Sequence, residues 1–123
     1  MEAREHLYYG LGMLAYAVAK ADGEIQSSEK RELHELVSEW SARYSSNYDI
    51  TEIIFSLLDK TKPTLEQGLA LGIKNIKLGS DHMNEQLKEH FIYLIQDIAH
   101  SFPPVTENED AIINRVVRAL DEV

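Results

Sequence analysis

The stretch Ala19-Lys20-Ala21-Asp22-Gly23-Glu24-Ile25-Gln26-Ser27-Ser28-Glu29 constrains the fold more than any other. A helical apolar pattern runs into it and a second one leaves it. It holds the only Asp-Gly pair in the chain. Gly23 can adopt positive φ without a Cβ clash, which suits the residue that closes a helix. Asp22 can accept backbone N–H bonds in a tight turn. Gln26 or Ser27 suits an N-cap, and Glu29 then falls near the third helical position, where a carboxylate can reach back to a capping N–H.

The helical reading extends in both directions. Leu7, Leu11, Leu14, Ala15 and Val18 recur at steps of three and four, predicting a helix over about 2–21. Tyr8, Tyr9 and Tyr16 widen that face. Gly10, Gly12 and the alanines leave a smooth side for close helix contact. Leu33, Leu36, Val37, Trp40 and Tyr44 form the stripe of a second helix over about 28–43. Ser45-Ser46-Asn47 breaks it. Asp49 to Glu52 reads as a capping box, opening a short helix with Ile53, Ile54, Leu57 and Leu58 inside. Lys60-Thr61-Lys62-Pro63 ends that helix.

Thr64 to Gln67 is another capping box. Its helix carries Leu65, Leu69, Ile73 and Ile76, with Gly72 as a close-packing point and Gly79 as the stop. A fifth helix is predicted over about 81–101, with Leu87, Phe91, Leu94, Ile95 and Ile98 inside. Phe102-Pro103-Pro104-Val105 breaks it. Thr106 to Glu109 is a third capping box, and Ile112, Ile113, Val116, Val117 and Leu120 line the last helix. No stretch alternates apolar and polar residues long enough for a strand. The fold class is therefore all-α: one compact bundle of about six helices.

The two ends of the chain match at an offset of 80 residues. Leu7, Leu11, Leu14 and Val18 meet Leu87, Phe91, Leu94 and Ile98. Ile25 meets Val105, and Glu29 meets Glu109. Leu33, Leu36, Val37 and Trp40 meet Ile113, Val116, Val117 and Leu120. The pattern reads as two pseudo-repeated helical hairpins, 2–44 and 82–123, flanking a middle helix pair within a single domain. Asp22-Gly23-Glu24 occurs only in the first turn; Phe102-Pro103-Pro104 stands in the second.

Charge and composition limit the chemistry. The net charge of −9 argues against sequence-independent nucleic-acid binding, which depends on neutralising phosphates with Lys and Arg. The absence of cysteine excludes disulfides, thiolate zinc sites and thiol catalysis. The start of the chain lacks a signal-peptide layout, and the apolar run from Gly10 to Ala19 is too short to insert across a bilayer. A cytoplasmic location is the default expectation. No Gly-x-Ser-x-Gly elbow, phosphate loop or His-Glu-x-x-His pair is present, so a non-enzymatic role is expected.

One acidic constellation carries chemistry. With Gly23 at the sixth position of an EF-hand loop, Asp22 falls at the fifth and Glu29 at the twelfth. The first and third positions fall on Val18 and Lys20, which cannot serve as oxygen ligands through their side chains. Two readings stay open: a purely structural turn, or a partner-completed divalent-cation site using Asp22, Glu24 and Glu29. His100, beside the second turn, is the most interesting of the five histidines as a metal ligand. Glu35 with Glu39 and Glu85 with Glu89 share helix faces, which suits a solvated surface or a divalent ion. Trp40, Tyr44 and Tyr48 follow at four-residue steps and suit either packing at a helix end or a partner-binding edge.

Ala17-Val18-Ala19-Lys20-Ala21-Asp22-Gly23-Glu24-Ile25, with Glu29 and Leu33 after it, resembles the signature of the TerB family of tellurite-resistance proteins. The wider TerB-like group includes the helical N-terminal region of membrane-anchored DnaJ-like co-chaperones. The resemblance implies a compact helical domain with acidic residues gathered near its turns, Asp22 and Glu29 being the matching positions. It implies a role in tellurite or other chemical stress, through metal sensing or through a protein partner in a membrane-associated complex. A co-chaperone-type adaptor is a further expectation, although no J-domain His-Pro-Asp motif occurs. The second turn departs from the family pattern, with Ser101-Phe102-Pro103 where related sequences often repeat Ala-Asp-Gly.

Overall fold

The computed structural model of the chain describes residues 2–20, 27–44, 50–101 and 107–122. Six α-helices and no strand occur among them: α1 Ala3–Ala19, α2 Ser27–Tyr44, α3 Ile50–Ser56, α4 Leu65–Leu78, α5 Glu85–Ser101 and α6 Glu107–Asp121. A π-helical turn, Leu57–Thr61, follows α3, and a 3₁₀ turn, Ser80–His82, follows α4. The all-α expectation holds.

Helix α1 is the centre of the molecule. Its residues from Leu7 to Val18 are buried, Tyr9 alone being partly exposed. A helix buried on every side must be apolar or small on every side. The run Gly10-Leu11-Gly12-Met13-Leu14-Ala15-Tyr16-Ala17-Val18 meets that demand, and α4, α3, α5 and α6 pack around it. Each large apolar side chain so buried contributes about 1.5–3 kcal/mol. Helices α2, α4, α5 and α6 are one-sided. Leu33, Val37 and Trp40 of α2, Leu69 and Ile76 of α4, Phe91, Leu94, Ile95 and Ile98 of α5, and Val116 and Leu120 of α6 are buried, as their periodicities predict. Helix α5 packs on α6, while α2 lies against α3 and α5.

Small residues let α1 and α4 approach closely. A Cβ on Gly10 would lie 2.7 Å from the Gly72 carbonyl oxygen, and one on Gly72 would lie 2.7 Å from Leu14 Cδ2. Gly79 caps α4 at φ −97°, outside the left-handed region expected of a glycine stop. Its missing side chain matters for another reason: a Cβ there would strike the Ala3 carbonyl and Leu7.

Two hydrogen-bonded ties fix α1 to its surroundings. The buried Tyr16 hydroxyl donates to the Pro63 carbonyl at 2.9 Å and accepts from Lys20 Nζ at 3.3 Å. At the other end, His6 Nδ1 donates to Asn75 Oδ1 of α4 at 2.8 Å. The segment that presents Pro63 is irregular. Lys62 N–H closes the π-helical turn on the Leu57 carbonyl at 2.7 Å, and Lys62 itself is left-handed, with φ 45°. A non-glycine residue there costs about 1–2 kcal/mol, which the buried Tyr16–Pro63 bond helps to offset.

The Thr64–Gln67 capping box forms in both directions, at 3.2 and 2.9 Å. Helix α5 starts four residues later than its predicted start at 81. Asn84 is the reason: its Oδ1 accepts from Leu87 N–H at 2.8 Å, while Met83 is extended. Helix α1 stops at Ala19, where Lys20 N–H caps onto the Tyr16 and Val18 carbonyls. Asp49 and Thr106, the N-cap residues of the other two predicted capping boxes, lie outside the described residues.

Candidate docking site

The acidic constellation is only partly described. Asp22 and Glu24 lie outside the described residues; Glu29 is the third residue of α2 and half-buried. Among the described residues no three His, Asp or Glu side chains gather closely enough to hold a metal ion. Glu35, Glu39, Glu85 and Glu89 are exposed, and Glu85 is 3.5 Å from Lys88. His100 is exposed at the last turn of α5.

The structure instead brings together the aromatic residues of α2 and α5. Trp40 is buried, and its indole Nε1 donates to the His90 carbonyl at 3.1 Å. Tyr44, one turn on, stacks on the His90 ring with centroids 4.1 Å apart. The Trp40 ring also lies 5.7 Å from Tyr44 and 6.1 Å from Phe91, and Tyr8 of α1 meets Phe91 edge-on at 5.6 Å. A chain of rings thus runs from the central helix to the surface. Such offset and edge contacts each add about 0.5–1.5 kcal/mol beyond burial.

At its outer end this chain of rings meets charge. Arg43 lies 5.9 Å from the centroid of the Tyr44 ring. Hydrogen bonding to Tyr44, then the charge of that phenol, hold the guanidinium above its ordinary pKa. Leu36, Glu39, Tyr93 and Asp97 complete a notch of about 90 Å³. Tyr93 is 55% exposed, which is unusual for so large a ring. The volume suits the tip of one side chain from another molecule, since a water molecule's share of liquid volume is about 30 Å³. Aromatic faces, one guanidinium and two carboxylates surround that space.

Trp40 and Tyr44 were legible as a candidate partner edge; Tyr48 lies outside the described residues. Tyr93 and Asp97 were not anticipated. The available signal was an aromatic residue off the apolar stripe of α5, four residues before a carboxylate on the same face.

The described residues thus form an all-α fold with an aromatic-lined notch at its surface. No protein-family model, curated protein or solved structure matches the chain. Among the described residues no helix is long and apolar enough to cross a membrane.

Proposed function

We propose that the chain is a TerB-like, non-enzymatic interaction module of a chemical-stress response, and that it docks a protein partner at the α2/α5 notch. The observation that carries this reading is the exposed pair Tyr93 and Arg43 beside a buried Trp40. Interface hot spots are enriched in Trp, Tyr and Arg set in desolvated pockets. Here the base of the pocket is already ordered by the Trp40–His90 hydrogen bond and the Tyr44–His90 stack. Less side-chain entropy is then lost when a partner arrives. The link to tellurite stress rests on the TerB-like residues Ala17 to Ile25, with Glu29 and Leu33.

The test is complementation. Cells lacking the gene receive the wild type or a Tyr93→Ala, Arg43→Glu double variant and are scored for survival on tellurite. Both positions are exposed, so the variant should keep the wild-type circular dichroism and melting temperature. The expected result is rescue by the wild type alone. Full rescue by the double variant would overturn the notch as the docking site. A deletion strain as tolerant as its parent would overturn the stress role.

A further inference from the structure

A second surface lies between α4 and α6 and shares no residue with the notch. Ala70, Ile73, Lys74, Lys77 and Leu78 fall on one face of α4. Ala111, Arg115, Arg118 and Ala119 fall on one face of α6. The faces border an open cleft of about 580 Å³, which continues past Ile73 and Lys77 into a second hollow of about 400 Å³. The lining alternates in chemistry. Ile73 and three alanines supply the apolar part, and Leu78, 55% exposed, extends it at the end of α4.

The charge here runs against the rest of the molecule. The chain has 12 basic residues and a net charge of −9, yet Lys74, Lys77, Arg115 and Arg118 all line this one cleft. Arg115 is engaged by Glu66. Lys74, Lys77 and Arg118 are exposed and form no ion pair among the described residues. Glu122 is the one carboxylate in the cleft lining.

We propose that this cleft is a docking groove for an acidic amphipathic helix of another protein. A groove between two helices takes a third helix through apolar side chains spaced at i, i+3, i+4 and i+7. The apolar lining accepts such a stripe. The cations beside it select glutamate and aspartate on the flanks of the incoming helix and repel lysine and arginine there. Two open hollows joined at Ile73 and Lys77 fit a helix better than a compact ligand, which prefers an enclosed cavity.

The probe is a fluorescein-labelled peptide of about 18 residues, five helical turns, with leucines on one face and glutamates on the rest. Binding is followed by anisotropy and mapped by amide chemical shifts of the full chain. The expected result is saturable binding with the largest shifts in residues 70–78 and 111–119. A Lys77→Glu, Arg118→Glu variant should bind roughly tenfold more weakly or worse, as charge reversal at an interface rim demands. The Tyr93→Ala, Arg43→Glu variant should bind like the wild type, which separates this groove from the α2/α5 notch. Equal affinity for a peptide with lysine in place of glutamate would overturn the proposal, as would shifts centred elsewhere. Sedimentation with phosphatidylserine vesicles that is lost in the charge-reversed variant, without peptide binding, would overturn it in favour of a lipid surface. A concentration-dependent dimer abolished by the same variant, and competing with the peptide, would overturn it in favour of a second copy of the chain.

Discussion

Gly10 and Gly68 both sit in helices that cross, yet their missing side chains do different work. Alanine favours a helix interior over glycine by about 1 kcal/mol, so either substitution starts with that gain. At Gly10 the new Cβ would stand 2.7 Å from the Gly72 carbonyl oxygen and 3.0 Å from Ile76. A backbone carbonyl inside a helix cannot swing aside, and overpacking of this kind costs about 1–3 kcal/mol. At Gly68 the nearest atom is Ala17 Cβ at 3.5 Å, an ordinary contact. The urea midpoint should therefore fall for Gly10→Ala and rise for Gly68→Ala, the latter by the equivalent of about 0.5–1 kcal/mol. Shifts of the same sign would mean that α1 and α4 are not held at this separation.

At the scale of elements, Arg115 of α6 clamps Glu66 of α4 with two parallel hydrogen bonds, each 2.9 Å. The hydrogen bond from Arg115, then its charge, hold the Glu66 carboxyl below its ordinary value of 4.5. A carboxylate with a lowered folded-state pKa contributes stability above the unfolded value and loses it as pH falls through the folded one. The hydrogen bond to Glu66 raises the Arg115 guanidinium above its ordinary value, so its side of the pair stays charged throughout the acid and neutral range. Glu66→Gln, which resembles the protonated acid, should melt below the wild type at neutral pH and low salt. The two melting curves should converge as pH falls through the lowered pKa of the Glu66 carboxyl. A gap that persists at acid pH would assign the difference to something other than charge. The helices themselves were largely readable, because capping residues and apolar periodicity act locally; Thr64 with Gln67 did what their spacing promised. The start of α5 was misplaced because Asp81 and Asn84 are both competent N-caps, and only the backbone at Met83 decides between them. The π-helical turn at Leu57–Thr61 leaves no periodic trace in so short a segment. The notch was half legible: Trp40 and Tyr44 share a helix, whereas Tyr93 and Asp97 come from another and meet them only through packing.

For the whole molecule the governing quantity is the net charge of −9. The ion pairs Lys30–Asp59, Lys88–Glu85 and Arg115–Glu66 each have at least one exposed partner. Exposed pairs contribute little and are themselves weakened by salt. Self-repulsion of a surface with an acidic excess acts over longer distances and destabilises the compact state. Raising NaCl from about 10 mM to about 150 mM shortens the screening length from about 30 Å to about 8 Å. Screening should therefore relieve more repulsion than it removes attraction, and calorimetry should record a rising melting temperature across that range. A fall would mean that the local pairs outweigh the global field. The cleft between α4 and α6 sharpens this expectation, because its cations offset the surrounding carboxylates. The Lys77→Glu, Arg118→Glu variant carries a more negative net charge in the same fold, so its melting temperature should start lower at low salt and climb more steeply. If its slope matched the wild type, the two cations would already be isolated from the rest of the field. Their role would then be local, confined to whatever enters the groove.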